Sequence, residues 1–568
     1  MAYSLAQGST SPPLIEATIG GVFDAAVERW PDREAVVSRH EAKRYSYRAL
    51  QVEVNRLASA LLSLGLLAGD RVGIWSHNNM AWLLLQLATA KAGIILVNIN
   101  PAYRLSELEY ALNKSGCRVL VTMRRYKTSD YLDMLFQIAP ELKMGGGAAL
   151  AAARLPSLRH VIWIDAPEAG EPLDEGPWLQ RFSRLLASGR ADDERLARLS
   201  ASIQPADPIN IQFTSGTTGS PKGATLTHRN IVNNGFFVGE RMNLTHEDRL
   251  CIPVPLYHCF GMVMGNLACL THGSTIVYPN DGFDALTVLE TVQEERCTAL
   301  HGVPTMFAAE LDHPRFDEFD LSTLRTGVMA GAPCPVALMK RVVEDMHLRE
   351  ITIGYGMTET SPVSCQSAID TPLDKRVSTV GTVHPHLEVK IIDPGAGETT
   401  PRGVSGEICT RGYAVMRGYW DDEAATRQVI DKDGWMHTGD LGAMDADGYV
   451  NVVGRLKDLV IRGGENISPF EIEEFLCRHP LIRSAQVIGV PDRRYGEELC
   501  ACIVLSPGCE LSEDDVRAFC KGKIAHYKIP RYIKFVQAYP MTVTGKVQKF
   551  QLREDMKRLL NLNDEKTA

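Results

Sequence analysis

Residues Phe213 to Thr225 constrain this chain more than any other stretch. They read F-T-S-G-T-T-G-S-P-K-G-A-T, with hydroxyls at Thr214, Ser215, Thr217, Thr218 and Ser220 set between Gly216, Gly219 and Gly223, and one cation at Lys222. The alternating Ile209, Ile211 and Phe213 ahead of them predict a strand that ends at a loop. Glycine lets a backbone reach φ > 0 and approach a ligand closely. Successive N–H groups, hydroxyls and an ammonium facing one region bind polyphosphate. The nucleotide-binding P-loop, G-x-x-x-x-G-K-[ST], is excluded, because Lys222 follows Pro221 and Gly223 stands where Ser or Thr is required. The competing reading is a Gly/Ser/Thr linker, but linkers seldom place Pro-Lys-Gly after such a run.

T-S-G-T-T-G-S-P-K-G resembles the signature of adenylate-forming enzymes, a family that includes acyl-CoA synthetases, amino-acid adenylation domains and firefly luciferase. The rest of the chain is compatible with that resemblance. Its 568 residues hold about three or four domain-sized units. Sixty basic against 69 acidic residues give a net charge of −9, which excludes a basic footprint for nucleic acid. Thirteen cysteines form no C-x-x-C pair, and Cys251, Cys269 and Cys502 lie in apolar runs, as buried thiols of a reducing compartment do. The N-terminus lacks the basic and apolar regions of a secretory signal. The apolar stretch Trp82 to Ile95 is broken by Gln86, Thr89 and Lys91, so no transmembrane segment is expected and the expected location is cytoplasmic.

Helical and strand patterns alternate from residue 17 to 125. Leu50, Val54, Leu57 and Leu61 share one helix face; Arg71–Trp75, Gly93–Val97 and Arg118–Thr122 read as strands between helices at Asn79–Ala92 and Ser106–Ser115. This predicts βαβ units and a parallel sheet. Gly145–Arg154 reads as a surface insertion and residues 166–177 as an acidic loop. A second βα series resumes with a helix at His228–Arg241, a strand at Leu250–Val254, a long apolar helix around Met262–Leu270 and a strand at Ser274–Tyr278. From Val380, short strands with glycine turns predict a small β-barrel or distorted sheet. After Gly454–Asp458, Ser468-Pro-Phe-Glu471 reads as a capping box opening a helix, and about 110 residues of α+β pattern follow. The expected fold class is α/β. A large N-terminal domain (1–456) carries two parallel βα sheet subdomains plus the barrel, and a small mobile α+β domain (457–568) follows.

Three further motifs carry chemistry. In Ile353-Gly-Tyr-Gly-Met-Thr-Glu-Thr360, Tyr355 lies beside Gly356 and can stack on a purine, while Thr358 and Glu359 follow and Glu359 can hold Mg2+ against phosphate oxygens. An ordinary packing tyrosine is the plain alternative. With Gly331, Ala332 and Pro333 ahead of it, the segment resembles the family's adenine pocket. In Trp435–Asp440 and Gly454–Arg455, the resemblance assigns Asp440 and Arg455 to the ribose; an Asp in a β-turn is the alternative. Pro540–Lys546 matches the family's C-terminal lysine, which implies that Lys546 is the cation bridging carboxylate and α-phosphate. If so, acetylation of Lys546 would remove that charge.

The resemblance spans nearly the whole chain and implies two steps: a carboxylic acid and Mg-ATP give acyl-adenylate and pyrophosphate, then a thiol expels AMP. It places the hinge at Lys457 and the pantetheine-facing loop at Gly463 and Gly464. His258, in Pro255–Gly261, stands where the family has a residue gating the carboxylate, although a packing histidine fits equally. No Asp in that stretch pairs with an amino acid's ammonium, and Phe236, Phe237, Gly239, Val303 and Met306 are neutral, which favours an uncharged acyl tail. The runs N-I-V-N-N-G-F-F-V-G-E-R and P-L-Y-H-C-F-G resemble medium-chain fatty acyl-CoA ligases. ATP, Mg2+ and coenzyme A are the implied cofactors, with a homodimer permitted. An aryl-CoA ligase and a carrier-protein-loading enzyme are the alternatives; a luciferase-like oxygenase and a non-catalytic binding protein are weaker ones.

Overall fold

The computed structural model describes residues 2–143, 150–165, 175–176, 178–214, 221–332, 334–462, 465–541 and 547–562. The chain divides into two compact units: Gln7–Glu388 with Thr410–Met436, and Met1–Ala6 with Val389–Cys409 and His437–Ala568.

Two large sheets form the first unit. One runs in the order Leu179–Arg181, His160–Ile164, Val119–Met123, Arg71–Trp75, Ile95–Ile99, Pro208–Thr214, Lys222–Thr227, Gly418–Tyr419. It is parallel as far as Pro208–Thr214 and antiparallel across the last two pairings. The other places Glu350–Gly356, Thr326–Ala330, Ala299–Gly302, Arg249–Cys251, Thr275–Tyr278 and Glu34–Ser38 in parallel, with antiparallel strands at both edges. The expected βαβ grammar is present, with ends shifted by a residue or two: Ile95–Ile99 for the second strand and Leu105–Ser115 for the helix after it.

The apolar stretch that was too polar to span a bilayer is the helix Met80–Ala92, buried along its whole length. Its polar residues are answered inside the protein. Gln86 donates to the Met262 carbonyl and accepts from Asn266, Thr89 donates to the Leu85 carbonyl, and Lys91 pairs with Asp24 at 2.7 Å. Among the described residues, no helix is long and apolar enough to cross a membrane. Cys251, Cys269 and Cys502 are buried free thiols.

Local readings are corrected at four places. The long helix after His258 is a π-helix over Phe260–Leu267 that continues as Ala268–His272. Its widened turns are held by buried side chains: Asn266 bonds Gln86 and Tyr278, and His301 meets the Met264 carbonyl at 3.0 Å. Leu150 and Ala152 are buried, so the end of the Gly/Ala-rich segment packs into the core, because its alanines and leucine prefer apolar surroundings. Residues 144–149 and most of 166–177 lie outside the described residues. In place of a closed barrel, the second unit holds an open sheet ordered Leu5–Gln7, Leu387–Ile392, Gly406–Gly412, Met436–Met444, Val450–Arg455, five strands being few for closure. Ser468 is the N-cap residue of the helix Pro469–Leu476, but its side chain accepts no helix N–H; its hydroxyl donates to the Val453 carbonyl at 2.6 Å. That helix covers a second sheet, Ile482–Asp492 and Gly496–Leu505 with Val460–Arg462, Glu465–Ile467 and Tyr532–Phe535, around Ile472, Leu476, Val487, Leu499 and Ile533.

Buried histidines tie stability to pH. His228 accepts the Ile19 N–H and His301 the Val328 N–H, and burial holds each pKa down at about 4 from an ordinary 6.5. Between those values the unfolded chain binds more protons than the folded one, so stability falls as pH drops from 6.5 towards 4. Unfolding by urea at pH 5.0 is expected to need less free energy than at pH 7.5, by about 1–2 kcal/mol per histidine. A midpoint that stays constant across this range would contradict the burial argument.

Candidate active site

The strand Pro208–Thr214 pairs antiparallel with Lys222–Thr227, and Thr214 stands opposite Lys222 in the ladder. Ser215, Gly216, Thr217, Thr218 and Gly219, between them, lie outside the described residues. The ladder still pins both ends of the phosphate loop beside each other. Gly223 is tightly enclosed, since a Cβ there would come within 3.0 Å of Ile211.

Behind this hairpin lies Glu359, in the turn Thr358–Thr360 and only 4% exposed. Its Oε1 accepts the Thr214 hydroxyl at 3.1 Å and the Tyr419 hydroxyl at 3.0 Å. Tyr419 comes from Gly418–Tyr419, the strand that pairs with the far side of Lys222–Thr227. Burial, then the charge of Glu359, pushes the Tyr419 phenol well above its ordinary range, so it remains a donor. Lys222 Nζ lies 5.0 Å from the centre of the Tyr419 ring, over its electron-rich face. A carboxylate oriented by hydroxyls is a hard oxygen ligand of the kind a small divalent cation takes. Sequence reasoning missed Tyr419; the only signal was an aromatic pair, Tyr419-Trp420, after Arg417-Gly418.

Tyr355 and Gly356 end the strand Glu350–Gly356, and Gly331 and Ala332 follow its parallel neighbour Thr326–Ala330. Both segments therefore leave the sheet at the carboxyl ends of adjacent strands, where open α/β sheets bind ligands. Gly356 has no room for a side chain, because a Cβ would sit 1.7 Å from the Pro362 carbonyl oxygen. Gly331 takes φ +88, a left-handed conformation. Tyr355 is half-buried, as is Thr358; Pro333 lies outside the described residues.

His258 is half-buried, 4.5 Å from the Tyr257 ring, and its carbonyl accepts the Met262 N–H at the start of the π-helix. Asn98 holds this segment by donating to the Tyr257 carbonyl. Of the expected acyl lining, Phe237 is buried among the rings of His384, His386 and Tyr413, and Gly239 abuts His272. Both are packing residues. Phe236 stacks on His272 at 5.5 Å.

The second unit carries the rest. Asp440 and Arg455 are opposite one another in the hairpin of Met436–Met444 and Val450–Arg455, and Arg455 Nε donates to Asp440 Oδ1 at 2.8 Å. Asp440 is 6% exposed while Arg455 is exposed. Lys457 lies on the surface in the turn Leu456–Asp458. Gly463, Gly464 and Lys546 lie outside the described residues.

The structure thus brings together a hydroxyl-ended hairpin and a buried acid behind it, and sets an aromatic at the carboxyl end of a parallel strand, where open α/β sheets bind ligands. Family comparison agrees: the AMP-binding enzyme model matches residues 23–420 and the AMP-binding enzyme C-terminal domain matches 471–546, and the chain belongs to this family, in its acyl-CoA synthetase branch. The chain is 46% identical to the mitochondrial medium-chain acyl-CoA ligase ACSF2 of Mus musculus over 566 residues, 98% of this chain and 91% of that one. It is 48% identical to the putative acyl-CoA synthetase YngI of Bacillus subtilis (strain 168) over 550 residues, 97% and 99% of the two chains. Among solved structures, the anthranilate CoA ligase AuaEII in complex with anthranoyl-AMP matches with a TM-score of 0.84 at 28% identity, covering 97% of this chain and 99% of that chain. ATP-bound MatB from Rhodopseudomonas palustris matches with a TM-score of 0.81 at 28% identity, covering 95% and 99%. As an acyl-CoA synthetase the enzyme uses ATP and CoA.

Glu359→Gln keeps the shape and removes the charge. It is expected to slow acid-dependent exchange of pyrophosphate into ATP by about 10²–10³, with little change in melting temperature. Tyr419→Phe, which removes one of the two donors, is expected to cost about tenfold or less. Wild-type exchange in Glu359→Gln would remove this carboxylate from the chemistry.

Proposed function

We propose that this protein is an ATP-dependent acyl-CoA ligase that activates a medium-chain fatty acid as acyl-AMP and transfers it to CoA, releasing AMP and pyrophosphate. The observation that carries the reading is Glu359, fixed by Thr214 and Tyr419 beside the ends of the phosphate loop. The medium-chain part rests on the 46% identity to ACSF2 across nearly the full length.

In the first step an oxygen of the fatty acid's carboxylate attacks the α-phosphorus of ATP, and pyrophosphate leaves. Thr214, Ser215, Gly216, Thr217, Thr218, Gly219 and Lys222 hold the triphosphate by hydroxyl, N–H and ammonium donors. Glu359 holds Mg2+, which neutralises phosphate charge when bound. Tyr355, Gly356 and Thr358, with Gly331, Ala332 and Pro333, receive the adenine; Asp440 and Arg455 take the ribose. His258 stands at the acyl carboxylate. Lys546 bridges the attacking carboxylate and the α-phosphate, stabilising charge that peaks in the transition state. In the second step the thiol sulfur of CoA attacks the acyl carbonyl, the C–O bond to AMP breaks, and AMP leaves with the electron pair. A small domain over 457–568 turns at Lys457 between the steps, exchanging Lys546 for the Gly463-Gly464 loop, against which the pantetheine arm lies. A homodimer and a cytoplasmic location are compatible with this reading.

The fold likeness to AuaEII, an anthranilate CoA ligase, supports one second reading, an aryl acid as substrate. Pyrophosphate release with acetate, hexanoate, octanoate, palmitate, benzoate and 4-coumarate, each with and without CoA, separates the two. Hexanoate and octanoate are expected to give the highest CoA-dependent turnover. Lys546→Ala is expected to lose about two to three orders of magnitude in adenylation. Benzoate or 4-coumarate as the best substrate would replace the aliphatic reading. Acyl transfer to a holo carrier protein but not to CoA would replace the acceptor.

A further inference from the structure

The strand Met436–Met444 turns at Gly439, immediately before Asp440, and that turn within the strand is held by a residue none of the motifs contains. Glu407, on the strand Gly406–Gly412, is 8% exposed and reaches two points of the neighbouring strand. Its Oε2 lies 2.9 Å from His437 Nδ1, and its Oε1 accepts the Gly439 N–H at 3.0 Å. Between these, Thr438 donates its hydroxyl to the Ile408 carbonyl at 2.7 Å and accepts the Asp440 N–H at 3.1 Å. Gly439 takes φ +70, and nothing lies within 4 Å of where its Cβ would be, so packing does not fix the turn at that residue. Hydrogen bonds to Glu407 and Thr438 do.

The same neighbourhood has the donor set of a metal site, since Glu407, Cys409 and His437 bring one ligand atom each within 4.8 Å of one another. Both oxygens of Glu407 are committed, however, one to the imidazole and one to a backbone N–H. That commitment makes the cluster a brace. A single planar carboxylate spanning residues 437 and 439 removes the freedom of the turn immediately before Asp440.

We propose that Glu407 is a positioning residue for ATP, fixing the turn from which Asp440 receives the two ribose hydroxyls. This rests on the ribose reading of Asp440. A carboxylate that accepts from a vicinal diol works only when held to about half an ångström. Glu407 supplies that restraint without touching the nucleotide.

The test is competition between ATP and 2′,3′-dideoxy-ATP, which lacks both hydroxyls; it yields a preference whether or not the analogue reacts. Asp440→Ala is expected to abolish the preference for ATP. Glu407→Ala is expected to reduce it about tenfold, through KM for ATP with KM for the fatty acid unchanged. Glu407→Gln, whose amide oxygen still accepts the Gly439 N–H, is expected to restore most of it. Where Glu407→Ala does not fold, Glu407→Met, similar in size and without an acceptor, carries the same expectation. A wild-type preference in Glu407→Ala or Glu407→Met, with the preference lost in Asp440→Ala, overturns the brace. A wild-type preference in Asp440→Ala overturns the ribose reading, and the brace with it.

Discussion

A carboxylate withdrawn from water must be answered by donors or by a cation, and Glu359 is withdrawn almost completely. Its answer comes from two strands that are not adjacent to one another: Thr214 ends one, Tyr419 ends another, and Lys222–Thr227 runs between them. The pairing of Thr225 with Gly418 and of Ala224 with Tyr419 sets which way the phenol points. A slip of one residue would turn it to the other face of the sheet and take its hydroxyl away from the acid. Sheet register and the setting of this buried acid are therefore a single constraint in this unit.

Much of the fold was legible because its elements obey strong local rules. The helix Tyr47–Ser63 shows Leu50, Val54, Leu57 and Leu61 on its buried face, as their spacing requires. The strand Arg71–Trp75 is a short apolar run bounded by turn residues, and the structure keeps its limits. The helix His228–Arg241 likewise has the limits read from the chain, with Thr227 and Asn230 forming a capping box. The sequence singled out Thr214, Glu359, Asp440 and Arg455 by motif, and the structure pairs Thr214 with Glu359 and Arg455 with Asp440.

What the sequence did not disclose depends on contacts between distant segments. Tyr419 follows the phosphate loop by about two hundred residues and becomes a site residue only through the pairing of Gly418–Tyr419 with Lys222–Thr227. Glu407 reads as an alternating polar position of a strand until its neighbour brings His437 and Gly439 to it. Ser468 has the local pattern of a cap, but its hydroxyl bonds the Val453 carbonyl, a partner outside the local pattern. Of the barrel and the distorted sheet that the short strands allowed, the open sheet is the one formed, because turn spacing does not specify closure, which depends on a last pairing between distant strands. Phe237 looked like pocket lining because apolar residues on one helix do not declare whether they face a ligand or other rings.

The π-helix at Phe260–Leu267 has a consequence for how this chain can vary. A π turn accommodates an additional residue relative to an α turn, so the segment has the form of a helix carrying an insertion. Removing one residue would let it rewind as an α-helix with its flanks in place, so the change would fall on the side chains within the wide turns. His258 and Tyr257 stand immediately before it, and the buried amides of Gln86, Asn98 and Asn266 are fitted to the wide form. Length in this stretch is thus as much a part of the design as composition: a single-codon deletion would close the wide turns to which these amides are fitted, with no change in the residue types around them.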